Sequence, residues 1–140
     1  MKWMLELLIG LLFLNCSSDN HCEDQVVCDS KTIIDPILFE NAPRGNLRVN
    51  ELSINNHCLT INFSSSGCSG RSWIIVLVDS GVVSESIPAQ RFLRLSLKND
   101  EMCEAFLTRE MAFDISNLQV EGNQVLLNIV NSDKSVLYQY

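Results

Sequence analysis

The chain has 140 residues, a formal net charge of −7 and 46% apolar side chains. That length allows one domain with a sizeable core and leaves too little for two. The acidic balance argues against nucleic acid as a partner and against electrostatic docking to anionic lipid.

At the N-terminus Lys2 is a short positive region, with Glu6 as an opposing charge, and Leu7 to Leu14 form an apolar run broken by Gly10. A bilayer span needs about 20 apolar residues, so this run predicts an export signal and not a permanent helical anchor. The stretch Leu12-Phe13-Leu14-Asn15-Cys16-Ser17-Ser18-Asp19 resembles the signals of small lipoproteins of the Bacteroidetes, of flavobacterial type. The resemblance implies a signal peptide over 1–15, lipid on Cys16 and a polar tether over 16–30. It also implies a cell-envelope address, with the outer membrane preferred. Acyl chains on Cys16 would contribute about 0.8 kcal/mol per buried methylene to membrane attachment. Phe13 and Asn15 depart from the strict lipobox, which has Leu and a small residue at those places. The rival is cleavage after Ser18, which releases a secreted or periplasmic protein without Cys16.

Six cysteines fit an oxidising compartment. With Cys16 on lipid, the expected bridges are Cys22 with Cys28 across a small loop, and Cys68 with Cys103. Cys58 is then the odd thiol, and Cys58–Cys68 is the main alternative pairing. A zinc site built from His21, Cys22, Cys28, His57, Cys58 and Cys68 is disfavoured, because no Cys-x2-Cys knuckle is present. No metal and no cofactor are expected.

From residue 31 to 140 the chain reads as a single domain of short β-branched and aromatic runs separated by Asn, Gly, Ser and Asp. The predicted strands are 31–34, 47–54, 58–63, 73–79, 92–97, 105–113, 124–130 and 136–140. Leu59, Ile61 and Phe63 share one face, as do Leu93, Leu95 and Leu97, and Val125, Leu127 and Ile129. Residues 73–78 are apolar throughout and predict a strand covered on both sides. Asn55-Asn56 and Gly122-Asn123 are expected turns. One short helix is expected over 101–110, competing with the strand there, with Asp100 as its N-cap. Seven to eight such strands predict an all-β fold, an antiparallel β-sandwich of immunoglobulin-like size, with a small barrel as the alternative. Cys58, Trp73 and Cys103 match the immunoglobulin order only superficially, since no tyrosine stands two residues before the second cysteine.

Few segments carry chemistry. Gly67-Cys68-Ser69-Gly70-Arg71 lacks the last glycine of a Gly-x-Ser-x-Gly elbow and precedes a strand. A Cys-His nucleophile using His57 with Cys58 or Cys68 lacks an orienting partner. The carboxylate pairs Asp79 with Glu85, and Glu101 with Glu104, read as solvated loop acids. No enzyme is expected. The two Arg-aromatic segments, 69–73 and 88–92, offer a possible binding patch of Arg71, Trp73, Gln90 and Arg91, provided neighbouring strands bring them together.

The segments Gly67-Cys68-Ser69-Gly70-x-x-Trp73, Pro88-x-Gln90-Arg91-x-Leu93-x-Leu95-Ser96-Leu97 and Phe113-Asp114-Ile115-Ser116 resemble an uncharacterised flavobacterial lipoprotein family. The resemblance implies an address and no activity. The expected function is a non-enzymatic binding or structural module of the envelope, partnered by the membrane through its lipid and by an unknown envelope protein or ligand. The alternative is an envelope inhibitor of a lysozyme or protease, which would use the loop 64–72.

Overall fold

The computed structural model describes residues 26–140. The expected signal peptide, Cys16, His21 and Cys22 lie outside the described residues. Among the described residues, nine strands form two mixed sheets around one apolar core. The four-stranded sheet has the order β1 (Ser30–Lys31), β7 (Ala105–Asp114), β4 (Cys58–Gly67), β3 (Leu47–Asn55). The five-stranded sheet has the order β2 (Ile33–Ile34), β5 (Ile74–Ser84), β6 (Gln90–Lys98), β8 (Gln124–Ile129), β9 (Ser135–Gln139).

The fold is the expected β-sandwich, with parallel pairings added to the antiparallel ones. β1 lies parallel to β7, β2 to β5, and β6 to β8. The first two arise because the run 31–34 is one extended segment shared between the sheets. Thr32 donates its N–H to Asp114 O at 3.1 Å in one sheet, and Asp35 donates to Asp79 O at 3.2 Å in the other.

Alternation built the core as expected. Leu59, Ile61, Phe63, Leu93, Leu95, Leu97, Val125 and Leu127 have no exposed surface, and each such side chain contributes about 1.5–3 kcal/mol of burial. The opposite face of β6 is also covered. Helix α1 (Pro36–Asn41) lies over it, so Arg94 and Ser96 are buried although alternation turns them outward. Arg94 donates from Nε to Phe39 O at 2.8 Å with its guanidinium 4.8 Å from the Phe39 ring centre, and Ser96 donates to Pro43 O at 2.6 Å. The helix starts where local chemistry is strongest. Asp35 Oδ1 accepts the N–H groups of Ile37 and Leu38, each at 2.9 Å, and Pro36 occupies the first turn.

The helix expected over 101–110 is absent, and β7 takes its second half. Pairing Ile61 with Met111 and Leu59 with Phe113 turns alternate β7 side chains into the sandwich. The pairing outweighs a helix preference of a few tenths of a kcal/mol per residue. Asp100 caps nothing. The first expected turn forms one residue later, with Asn56 at φ 53° and Asn55 paired with Cys58. Gly122 leads into β8, which pairs with β6 and β9, so no hairpin forms at 122–123.

Cys68 is bonded to Cys103, as expected, and Cys28 is bonded to Cys58. The second bridge corrects the pairing of Cys28 with Cys22 and the reading of Cys58 as the odd thiol. Its cause is the path of the chain. Asp29 donates to Ala112 O at 2.8 Å and accepts the Ala112 N–H through Oδ2 at 2.8 Å, which holds the preceding residue beside the start of β4. The fold therefore takes in residues before 31, from at least Cys28.

Candidate functional site

The two ends of the sandwich differ. Pairing of Gly67 with Ala105 and of Ile74 with Lys98 defines one end. Trp73 joins the sheets there, its ring centre 6.3 Å from that of Phe63. Pairing of Cys58 with Asp114 and of Ser84 with Gln90 defines the other end, where the Cys28–Cys58 bridge lies. We call them the loop end and the tether end.

This geometry divides the expected patch. β5 and β6 are antiparallel, so Arg71 and Trp73 stand at the loop end while Gln90 and Arg91 stand at the tether end. The separation is roughly 30 Å, the length of the intervening strand. Gln90 and Arg91 act as structural ties. Gln90 donates to Ser86 Oγ and accepts from Asn128 Nδ2, both at 3.1 Å. Arg91 Nη1 donates to Asp79 Oδ1 at 2.8 Å in an ion pair whose Asp79 side chain has no exposed surface. Burial raises the Asp79 pKa, against the lowering effects of the Gly81 N–H and Arg91. Glu85 is exposed in the β5–β6 turn and makes no pair with it.

At the loop end, residues 68–72 are held by a carboxylate from another segment. Glu101 Oε2 accepts the backbone N–H groups of Cys68 at 2.7 Å, Ser69 at 3.2 Å and Gly70 at 3.0 Å. Its Oε1 accepts the hydroxyls of Ser72 at 3.1 Å and Ser69 at 3.4 Å. Successive amides turned toward one point form an anion nest. Gly70, at φ +70°, supplies the left-handed residue, and Gly67 leaves the room: a Cβ there would overlap Glu101 Oε2 and stand 3.0 Å from the Trp73 ring.

The backbone of Glu101 is positioned in turn. Asn99 Oδ1 accepts its N–H at 3.0 Å, and Asn99 Nδ2 donates to Ser66 O at 2.7 Å. Arg109 Nη1 donates to Gly70 O at 2.7 Å with its guanidinium 5.9 Å from the Trp73 ring centre. The Cys68–Cys103 bridge closes the assembly.

The nest holds the Glu101 carboxyl at a pKa of about 2, the Gly70 N–H having the largest effect. A carboxylate ionised across the physiological range and engaged by five donors has no proton to exchange with a substrate. Ser69 is bonded to Glu101 and to the Arg71 N–H, with no histidine between them. Glu104 is exposed and outside the cluster. Trp73 is buried beneath the loop, while Arg71 is exposed and has no ion pair among the described residues.

Glu101 is thus no solvated loop acid, and Asn99 and Arg109 carry no signal in the sequence. One signal could have found Glu101: the expected Cys68–Cys103 bridge brings position 101 beside the glycine-rich turn.

The tether end carries a groove of about 510 Å³ lined by Lys31, His57, Asp114 and Ser116, among others. Ser116 donates its hydroxyl to Asp114 Oδ1 at 2.6 Å, and the hydroxyl and N–H of Ser116 lower the Asp114 pKa. His57 Nδ1 bonds Tyr138 Oη at 2.6 Å, so serine, histidine and aspartate form no relay. Among the described residues, no group of three or more His, Cys, Asp or Glu side chains converges as a metal set. No helix among them is long and apolar enough to cross a membrane.

No family model matches the chain, and no curated protein matches it. Two solved structures share its fold. One is a protein of unknown function, DUF1344, from Bacteroides vulgatus, with 18% identity and a TM-score of 0.51. The other is a protein described only as toxin-related, from Parabacteroides distasonis, with 16% identity and a TM-score of 0.54. Each match covers 79% of this chain, which spans 56% and 60% of those two chains. Both come from Bacteroidetes, and at this identity the likeness concerns the fold alone.

Proposed function

We propose that this chain is a non-enzymatic binding module of the bacterial cell envelope, held there by lipid on Cys16, with the loop 68–72 as its recognition element. The observation that carries this reading is the Glu101 clamp. Ordering a loop on binding costs about 0.5–1.5 kcal/mol per immobilised side chain, and a loop already held by a disulfide and five hydrogen bonds avoids much of that cost. It presents an exposed arginine, a residue type enriched where binding energy concentrates. The test is crosslinking from the loop in intact cells: Arg71→Ala should remove partner capture and leave the unfolding midpoint unchanged. Mass spectrometry of the mature chain tests the anchor, which requires acyl mass on Cys16; a mature N-terminus at Asp19 would remove it.

The same rigid loop supports a second reading, an inhibitor that places Arg71 in the cleft of an envelope-directed lysozyme or protease. A panel of lysozymes and proteases of each class tests it. Inhibition lost in Arg71→Ala supports this reading, and no inhibition across the panel removes it.

A further inference from the structure

Both ends of the sandwich expose large apolar side chains, Ile74, Met102 and Phe106 at the loop end among them, but the ends differ in their distance from the lipid proposed on Cys16. At the tether end, Ile34 and Pro36 pack beside Gly81, the chain turns into α1 at Ile37, and the β5–β6 connection follows. Among the large apolar side chains exposed in this region are Ile34 at 42%, Ile37 at 76%, Val82 at 58%, Val83 at 38% and Ile87 at 102%. Ile87 tips the β5–β6 connection and contacts nothing that shields it.

The chain leaves the described residues at this same end, at Val26, whose carbonyl lies 3.7 Å from the Cys58 sulfur. Ten residue steps separate Val26 from Cys16, a reach of at most about 35 Å. The long strands that join the two ends are themselves roughly 30–35 Å long. A lipid on Cys16 therefore brings the tether end to the bilayer readily, and the loop end only with the tether taut along the whole domain. Exposed apolar side chains at that place have a partner of matching chemistry within reach. The net charge of −7 makes apolar insertion, and not charge attraction, the mode of contact.

We infer that the tether end is a lipid-docking surface, in which Ile87, Val82 and Ile37 enter the headgroup–acyl boundary and the loop 68–72 is turned away from the membrane. This rests on the lipid anchor proposed above. The experiment uses the mature protein on vesicles of phosphatidylcholine with brominated acyl chains, which quench tryptophan at short range. Trp73 is buried and provides a constant background. Three variants add a second tryptophan: Ile87→Trp and Val82→Trp at the tether end, and Phe106→Trp at the loop end, where Phe106 is 68% exposed. The expected result is loss of emission at 87 and 82 and none at 106. Protein that floats with the vesicles while 87 and 82 stay unquenched, or while all three positions are quenched alike, overturns the docking and leaves the anchor standing. Protein that does not float overturns both.

Discussion

The Glu101 carboxylate and the Cys68 backbone N–H stand 2.7 Å apart across 33 residues of sequence, the bond lying two positions from the bridge that joins Cys68 to Cys103. Covalent and electrostatic ties thus converge on one turn. The bridge holds the two segments together, and the carboxylate sets the conformation of the loop.

The first prediction concerns acid. Glu101 has a folded pKa of about 2 against an ordinary 4.5. A depressed carboxyl pKa stabilises the fold above the unfolded-state pKa, and that contribution is lost as pH falls through the folded value. The clamp is therefore intact above about pH 4.5 and released as pH falls toward 2. Asp114 shifts in the same direction, while the raised Asp79 has the opposite sign and favours folding on protonation. Amide exchange at Cys68, Ser69 and Gly70, followed by NMR after correction for intrinsic rates, should show protection at pH 5 that is lost near pH 2. In Glu101→Gln it should be weaker by about tenfold or more at pH 5, the scale of a lost charge-assisted network.

The second concerns the buried pair. Arg91→Met leaves the fully buried Asp79 carboxylate without its counter-charge, at a cost of about 3–5 kcal/mol. Asp79→Leu with Arg91→Met should recover most of that loss, because apolar replacement of a buried pair is often neutral. Urea unfolding of the three proteins checks both values.

The third concerns the bridges. Peptide mapping without reduction should yield Cys28 linked to Cys58 and Cys68 linked to Cys103, with Cys22 alone reacting with a thiol reagent in the lipidated form. Replacing Cys68 and Cys103 together by Ala should cost about 4 kcal/mol in denaturant unfolding, the loop-closure value for their separation of 35 residues. A peptide linking Cys22 to Cys28 would contradict this pairing.

The fourth concerns the room made by glycine. Gly67→Ala pushes the Glu101 carboxylate out of the nest, and Gly70→Ala strains a residue at φ +70°. Each should cost about 1 kcal/mol or more by thermal or urea unfolding. Gly67→Ala should also expose the amides of residues 68–70 to exchange, as Glu101→Gln does.

The strands and the core faces were legible because alternation is local: Leu59, Ile61 and Phe63 declare their common face without reference to a partner. The sharing of residues 30–34 between two sheets was not, since nothing in Ser30 to Ile34 states which strands they join. Helix α1 was missed for a related reason. It has a single turn and a half of apolar residues, too few to show a period, and only the Asp35-Pro36 start marks it. The Arg-aromatic segments did draw attention to Arg71, which is exposed on the clamped loop proposed for recognition. They misassigned Gln90 and Arg91 because both segments begin strands, and antiparallel pairing places two such beginnings at opposite ends. Glu101 looked like an ordinary loop acid because its partners are backbone amides, which sequence does not display.

The measurement that bears most directly on the recognition loop is site-specific photocrosslinking in cells that make the protein. A crosslinking residue replaces Ser72 at the loop end in one strain and Lys98, just across the same end on β6, in another, with Glu85 at the tether end as a third. The expected result is a discrete protein adduct from position 72 that disappears when Arg71→Ala is added, with none from position 85. No adduct from 72, or equal adducts from 72 and 85 that survive Arg71→Ala, would contradict it.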